Sequence, residues 1–126
     1  MSKESLKIIS DAMSALGINY EFMEWTGGLV YPYFVGEYQE REPMNEDGMQ
    51  ETQFILTGFS REKWLALENA KNDIKEYFNK VSGKVVIADN GSAVAIFYAN
   101  SLVIPTGDAE LKKIQINLLV KEWSVN

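Results

Sequence analysis

Apolar residues recur along this chain with two different periods, and the order of those periods restricts the fold. The segment ELKKIQINLLVKEW, residues 110–123, alternates apolar and polar side chains, which is typical of a strand with one buried face. The segment REKWLALENAKNDIKEYFNKV, residues 61–81, instead spaces its apolar residues by three and four, which predicts an amphipathic helix. Reading the whole chain this way predicts the element order α-β-β-β-α-β-β-β.

Helices that interrupt antiparallel runs of strands favour a layered fold. We therefore predict a single α+β domain, residues 1–126, with an antiparallel sheet and both helices packed on one face. Ser2 is the predicted N-cap of the first helix and Gly17 its stop, while Ser60 is the predicted N-cap of the second. The first helix is indicated by four apolar residues on one face, Leu6, Ile9, Met13 and Leu16.

Strands and turns complete the pattern. Residues 18–25, INYEFMEW, are predicted to form the first strand, because aromatic residues alternate with polar ones. Asn90-Gly91 between two apolar runs predicts a hairpin, and PTGD at residues 105–108 predicts a turn before the last strand.

The longest predicted feature is a β-hairpin over about residues 31–60. Its base has alternating aromatic and aliphatic residues, whereas its outer half is polar on both faces. A strand that is polar on both faces has no core beneath it, so we expect the outer half to project from the domain. Pro43 and Asp47-Gly48 supply turn residues at its tip.

Most of the negative charge of the chain lies in this hairpin. Residues 37–51 contain six carboxylates and one arginine, a net charge of −5 within a chain of net charge −6. A metal site, a pair of catalytic acids and a solvated turn are the three interpretations. The carboxylates are Glu37, Glu40, Glu42, Glu46, Asp47 and Glu51.

Spacing and exposure favour the solvated turn. If Gly48 held the sixth position of a calcium loop, Pro43 and Phe54 would fall where the first and twelfth ligands are required. Acids beside an exposed turn have little burial to raise a pKa, which disfavours general acid–base catalysis. Runs of charge are usually solvated faces.

The composition excludes several classes of function. The chain has no cysteine and no histidine, so disulfides, zinc thiolates and Ser-His-Asp catalysis are impossible within it. Its acidity disfavours specific nucleic-acid binding. It has no apolar run near the ~20 residues of a membrane span and no apolar signal segment at its start. We predict no catalytic, metal or cofactor site, and a non-enzymatic protein that acts by binding.

The tryptophans are the candidate aromatic contacts. Trp64 lies in the helical stripe and is expected in the core. Trp123 ends the last strand on the face opposite Ile114, and it is the best candidate for an exposed aromatic that anchors an interface. The alternative for Trp123 is packing at the edge of the core.

Three stretches of the chain resemble a known family of phage proteins. They are YPYFVGEYQE, EDGMQETQFILTGFSREKWLALENAKNDI and VIPTGDAELKKIQINLLVKEW, which span most of the chain from residue 31 onward. The family consists of small proteins encoded in the head–tail assembly region of tailed bacteriophages and prophages. The segment order is also similar to that of tail-terminator and head–tail joining proteins. The resemblance includes no catalytic motif.

The resemblance implies a structural virion protein, made in the bacterial cytoplasm and located at the tail or head–tail junction. Its expected partners are further copies of itself in a ring, a hexamer being one option, and neighbouring tail-tube or connector proteins. We expect the six acids to face the lumen of the ring, where they repel DNA, or a basic patch on a neighbouring subunit. The alternative is an intracellular, non-enzymatic binding or regulatory module that uses the acidic hairpin to hold a basic partner.

Overall fold

The computed structural model describes residues 1–40, 49–79, 83–87 and 91–123. Its six strands form one sheet in the order β1-β2-β3-β6-β5-β4, so the predicted α+β class and element order are confirmed. Within these ranges, no helix is long and apolar enough to cross a membrane. The elements are α1 (Lys3–Ala15), β1 (Tyr20–Phe22), β2 (Tyr33–Glu40), β3 (Met49–Ser60), α2 (Trp64–Tyr77), β4 (Lys84–Ile87), β5 (Ala93–Ile104) and β6 (Lys112–Trp123).

Helix α1 begins and ends as its sequence predicts. The Ser2 hydroxyl accepts a hydrogen bond from the Ser5 N–H at 3.2 Å, which caps the N-terminus. At the other end Gly17 has a φ of +69°, a conformation that glycine adopts without strain. The Ile18 N–H then donates to the Met13 carbonyl at 2.9 Å, the longer bond of a Schellman turn.

Strands β3 and β6 form the centre of the sheet. They pair antiparallel over their whole length, from Met49 opposite Trp123 to Ser60 opposite Lys112. Their even-numbered residues face the helices, and both helices pack on this one face. Burying each large apolar side chain contributes about 1.5–3 kcal/mol relative to leaving it in water. The core includes Ile9 and Met13 of α1, Leu67 and Ile74 of α2, and Phe54, Leu56, Ile116 and Leu118 of the central strands.

The outer part of β3 does not project from the domain, and this corrects the expectation for that arm of the hairpin. Residues 49–53 pair with residues 119–123 of β6, and Thr52 is fully buried. Polar residues are accommodated there because backbone hydrogen bonds to β6, rather than an apolar face, hold this part of the strand. The outer half of β2 agrees better with the expectation that it lies away from the core, since residues 37–40 are all exposed. Residues 41–48, the predicted tip, lie outside the described residues.

The sheet is mixed rather than wholly antiparallel, because β1 pairs parallel with β2. Residues 23–32 carry the chain back along the sheet before β2 starts, so both strands run in the same direction. Met23 has a φ of +73° and ends β1 after three residues. The strand predicted over residues 18–25 is therefore shorter than expected.

Helix α2 begins at Trp64, later than predicted. Ser60 is not its N-cap, because β3 extends through Ser60, which pairs with Lys112. Lys63 holds the N-cap position without a side-chain hydrogen bond. The Ser60 hydroxyl instead accepts the Glu62 N–H at 3.0 Å. As the first helical residue, Trp64 lies at the rim of the core and is exposed, which corrects the expectation that it is buried.

The sheet face that neither described helix covers has an amide network at its centre. The Asn117 side-chain carbonyl accepts hydrogen bonds from Gln53 at 3.1 Å and Gln115 at 3.0 Å, and its amide donates to Asn100 at 2.6 Å. Asn117 is only 7% exposed, although this face of β6 is predicted to be wet. The neighbouring amides take the place of water and satisfy its polar atoms.

Close packing of β2 on β3 gives a test of the fold. A Cβ atom at Gly58 would lie 2.4 Å from a ring carbon of the fully buried Phe34. Gly58→Ala must therefore displace that ring, and we expect it to lower the free energy of unfolding by about 1–3 kcal/mol in urea denaturation. Gly28→Ala is the matched control, because a Cβ there meets no atom within 4 Å. Equal stability of the two variants would contradict the packing of Phe34.

Candidate functional site

The structure brings the predicted acidic residues together only in part. Glu37 and Glu40 lie on the outer half of β2, and because they are three residues apart their side chains point to opposite faces of the sheet. The Glu40 carboxylate contacts the amino group of Met1. Glu51 lies on β3 directly opposite Lys121. Three further predicted residues lie outside the described residues: Glu42, Glu46 and Asp47.

The three described acids, Glu37, Glu40 and Glu51, do not converge on one site. Among the residues that the structure describes, no group of three or more acidic side chains could hold a metal ion. Glu37 and Glu40 are exposed and diverge, so they do not flank a common substrate position. Because Glu40 is already paired with the Met1 amino group, Glu37 is the carboxylate of the outer half of β2 that can attract a cationic partner.

Trp123, the predicted aromatic contact, ends β6 on the uncovered face of the sheet. Its neighbours across the strands are Met49 on β3 and Ala93 on β5. The indole is half-buried, because strands lie on both sides of β6 at this point. Its place on the opposite face from Ile114 agrees with the strand alternation. It is available to a partner over only part of its surface.

An apolar strand edge that sequence reasoning misses lies on β4 and β5. Val85 and Ile87 are exposed on β4, which pairs with residues 93–96, and Leu102 and Val103 are exposed near the other end of β5. Apolar residues exposed singly are ordinary, whereas exposed neighbours such as Leu102 and Val103 mark interaction surfaces. The sequence signal for this edge is the absence of any charged residue between Asp89 and Asp108.

The backbone along this edge is open as well. Strand β4 pairs only with residues 93–96 of β5, and the Tyr98 N–H donates to the Phe78 carbonyl at 3.0 Å. The register with β6 then shifts at Ala99, which marks a β-bulge. In the described part of the chain, no strand pairs with the outer side of residues 100–104. This segment therefore combines free backbone groups with exposed apolar side chains, which favours addition of another strand.

The opposite edge of the sheet is acidic and aromatic. Residues 20–40 contain four glutamates and neither lysine nor arginine. Strand β1 pairs only with residues 34–36 of β2, so residues 37–40 have no described strand on that side. The rings of Phe22 and Tyr38 stack with their centroids 6.0 Å apart, and both are exposed. The two edges of the sheet thus differ in charge and in side-chain type.

Glu21 organises the loop that follows β1. Its carboxylate accepts hydrogen bonds from the Thr26 N–H at 2.7 Å and the Thr26 hydroxyl at 2.9 Å, and these bonds hold the pKa of Glu21 below its usual range. In the same loop the Trp25 Nε1–H donates to the Gly28 carbonyl at 3.0 Å. The Trp25 indole lies over Tyr33, with the ring centroids 4.9 Å apart. The loop is therefore fixed against the base of β2.

Comparison with protein-family models and with curated protein sequences gives no match to this chain. The two unlike sheet edges and the exposed acids of β2 are the candidate surfaces for association in the described part of the chain.

The Glu21 interaction predicts a pH dependence of the loop. The pKa of Glu21 is lower in the folded state, so its stabilisation is present above the ordinary glutamate pKa of about 4.3 and is lost as the pH falls through the folded-state pKa. We expect the Trp25 indole N–H resonance in NMR spectra to shift toward its solvent-exposed position in that acidic range. Glu21→Gln should remove the pH dependence, since its side chain does not ionise. A Trp25 resonance that titrates identically in the variant would contradict this role of Glu21.

Proposed function

We propose that this protein is a structural subunit of the head–tail region of a tailed-phage particle and that it works by assembling with further copies of itself. The phage assignment is supported by the resemblance of three stretches, residues 31–40, 46–74 and 103–123, to head–tail assembly proteins. The assembly is supported by the surfaces of the fold. On this proposal the protein is made in the host cytoplasm and acts in the virion, beside tail-tube or connector proteins.

The open edge of β5 is the observation that carries the proposal. Residues 100–104 combine the exposed side chains of Leu102 and Val103 with backbone groups that no described strand pairs on the outer side. A strand added along this edge would satisfy those backbone groups, and each hydrogen bond gained contributes about 0.5–1.5 kcal/mol. It would also cover the apolar side chains, which is the larger source of binding free energy.

This edge lacks the features that keep sheet edges apart. Proteins that stay monomeric usually place lysines, other charges or covering loops along such strands. Residues 100–104 contain no charged residue. The bulge at Ala99 and the proline at Pro105 limit the open segment to five residues without blocking it. A short, uncharged edge of this kind suits a specific contact with one neighbouring strand.

The difference between the two edges favours head-to-tail assembly. A contact between unlike surfaces repeats from copy to copy, and it closes into a ring when the rotation permits. The β1 and β4 edges are five strand spacings apart, about 24 Å, so one copy can meet two neighbours at once. Lys75 lies 5.6 Å from the ring centre of Tyr98 on the β5 side. The charged residues of the β1–β2 side, residues 20–40, are all glutamates. Their attraction to Lys75 favours the contact of unlike edges.

The acids have a consistent role in such a ring. Glu37 is exposed on the uncovered face of the sheet. If this face lines the lumen, the negative charge repels the DNA that passes through, and no specific nucleic-acid binding is required.

A second candidate function is a non-enzymatic intracellular module that holds a basic partner. One observation favours it: residues 37–40 are exposed, acidic at both ends and without a described strand on their outer side. A basic peptide could add there as an extra strand. The two candidates differ in whether the protein assembles with itself.

Light scattering coupled to size-exclusion chromatography tests the proposal. We expect the wild-type protein to form oligomers whose mass rises with concentration. The variant Leu102→Lys should be monomeric under the same conditions, because it places a charge on the open edge of β5. Leu29→Lys is the matched control, since Leu29 is also an exposed leucine but lies in the loop between β1 and β2. A wild-type protein that stays monomeric at every concentration, or a Leu102→Lys variant that assembles normally, would overturn the proposal.

A further inference from the structure

The second and the fifth strand of the chain are each covered over only part of their outer side. Strand β1 pairs with residues 34–36 of β2, and β4 pairs with residues 93–96 of β5. In the described part of the chain, residues 37–40 and residues 100–104 therefore have no strand on their outer side. These two open segments lie on opposite edges of one sheet. Each is a place where another strand can add.

On β2, the backbone groups that point outward belong to Tyr38 and Glu40. The Gly36 carbonyl accepts a hydrogen bond from the Met23 N–H at 2.7 Å, so Gly36 directs its backbone groups to the β1 side. Backbone direction alternates along a strand, and every second residue therefore repeats it. Tyr38 and Glu40 continue this series beyond the end of β1.

On β5, the outward backbone groups belong to Ser101 and Val103. The Tyr98 N–H points away from β6, because it donates to the Phe78 carbonyl at 3.0 Å. The bulge that follows Tyr98 leaves Ser101 two positions further along the ladder with β6, so Ser101 repeats the orientation of Tyr98. Val103 repeats it once more.

The two open segments match in strand direction and in the face of the sheet that their side chains occupy. Each pair in the series β2, β3, β6 and β5 is antiparallel, so β2 and β5 run in opposite directions within one copy. Two copies in the same orientation therefore bring β5 of one beside β2 of the next as an antiparallel pair. The side chains of Tyr38, Glu40, Ser101 and Val103 all lie on the face that the helices cover. Their neighbours on the central strands are the buried residues Phe54, Thr52, Ile116 and Ile114.

We propose that residues 100–104 of one copy bind residues 37–40 of a second copy as an added antiparallel strand. This inference rests on the proposed function, since it names the two segments that meet in that self-assembly. Val103 lies opposite Tyr38 and Ser101 lies opposite Glu40, and each pair exchanges two backbone hydrogen bonds. The two sheets become continuous, with their helices on the same side.

The short edge strands leave room for this contact and limit its length. In the second copy, β1 ends at Phe22, opposite Gly36, so it stops just short of the paired residues. In the first copy, β4 lies against residues 93–96, on the other side of the bulge. Pro105 has no N–H to donate, so the added pairing ends where β5 ends. The contact is therefore short and has one register.

The paired side chains cover apolar surface that is exposed in a single copy. Val103 is 54% exposed and Tyr38 is 40% exposed, and the Phe22 ring stacks on Tyr38 with the centroids 6.0 Å apart. An aromatic residue opposite a β-branched residue is a favourable cross-strand pair. Glu40 contributes only its backbone to the contact, so its carboxylate keeps the Met1 amino group as its partner.

Cysteine crosslinking tests the register, because the chain has no cysteine. The pairing puts Leu102 of one copy opposite Gln39 of the other as a non-hydrogen-bonded pair, with about 4.5 Å between the Cα atoms, and this separation permits a disulfide. A Leu102→Cys protein is mixed with a tagged Gln39→Cys protein under mild oxidation. We expect roughly tenfold more heterodimer than with a tagged Ser14→Cys protein, since a specific contact raises the local concentration of the two thiols. Ser14 is exposed on α1, on the other side of the sheet.

The alternative occupant of this edge is β5 of a second copy, in a twofold pairing. That pairing would place Leu102 opposite Leu102, so the Leu102→Cys protein would crosslink to itself. Head-to-tail pairing instead predicts roughly tenfold less of this homodimer than of the heterodimer. Amide hydrogen exchange of the wild-type protein gives a second readout. The amides of Tyr38 and Glu40 become protected as the concentration rises if β2 takes part, and they exchange rapidly at every concentration if it does not.

The outcomes separate this inference from the proposed function. Excess heterodimer together with protection of Tyr38 and Glu40 supports the pairing of β5 with β2. If the wild-type protein assembles but the heterodimer stays at the level of the Ser14→Cys control, or Leu102→Cys crosslinks mainly to itself, that pairing is wrong and the proposed function stands. If the wild-type protein is monomeric at every concentration, both are overturned.

Discussion

The full-length pairing of β3 with β6 is the interaction on which the rest of this structure depends. Each strand has twelve residues and every one has a partner across the pair, so the two form a long, continuous platform. One side of the platform buries Phe54, Leu56, Ile116 and Leu118 beneath the helices. The other side holds Asn117 in a network of side-chain amides. Because β3 and β6 occupy the centre, the shorter elements are left to form the two edges.

The edges differ because different segments of chain reach them. Strands β1 and β2 bring glutamates and stacked aromatic rings to one side, without any lysine or arginine in residues 20–40. Strand β5 brings the uncharged residues 100–104, whose outer side no described strand pairs, to the other. A molecule with two unlike edges is suited to repeated association with its own copies. In the proposed role, this self-association builds part of a phage particle.

Much of the fold could be predicted from the sequence, because local patterns determine it. The 3.6-residue stripe with Ser2 and Gly17 at its ends specifies α1, and the alternation of residues 113–118 specifies β6. The position of β3 between β2 and β6 could not be predicted in this way. Its outer residues are polar, and only a distant partner strand explains why Thr52 is buried.

The functional surfaces were less accessible to sequence reasoning for a related reason. The acids of residues 37–51 are conspicuous as a run of charge, yet the structure places Glu37 and Glu40 on opposite faces. The open edge of β5 depends on how far β4 extends along it, and pairing length is not visible in a hydrophobic pattern. The one signal was a negative one, the missing charges between Asp89 and Asp108. Trp64 is exposed because β3 extends to Ser60 and α2 therefore begins only at Trp64. The spacing of apolar residues in the helix does not show where the preceding strand ends.

Amide hydrogen exchange at increasing protein concentration tests the central claim most directly, because it reports on the β5 edge itself. If copies assemble through this edge, the outward-facing amides of residues 100–104 exchange rapidly in dilute solution and become protected as the concentration rises. The amides of β3 and β6 should be protected throughout, which provides the internal reference. Rapid exchange of residues 100–104 at every concentration would contradict the account, and so would full protection in a dilute monomer.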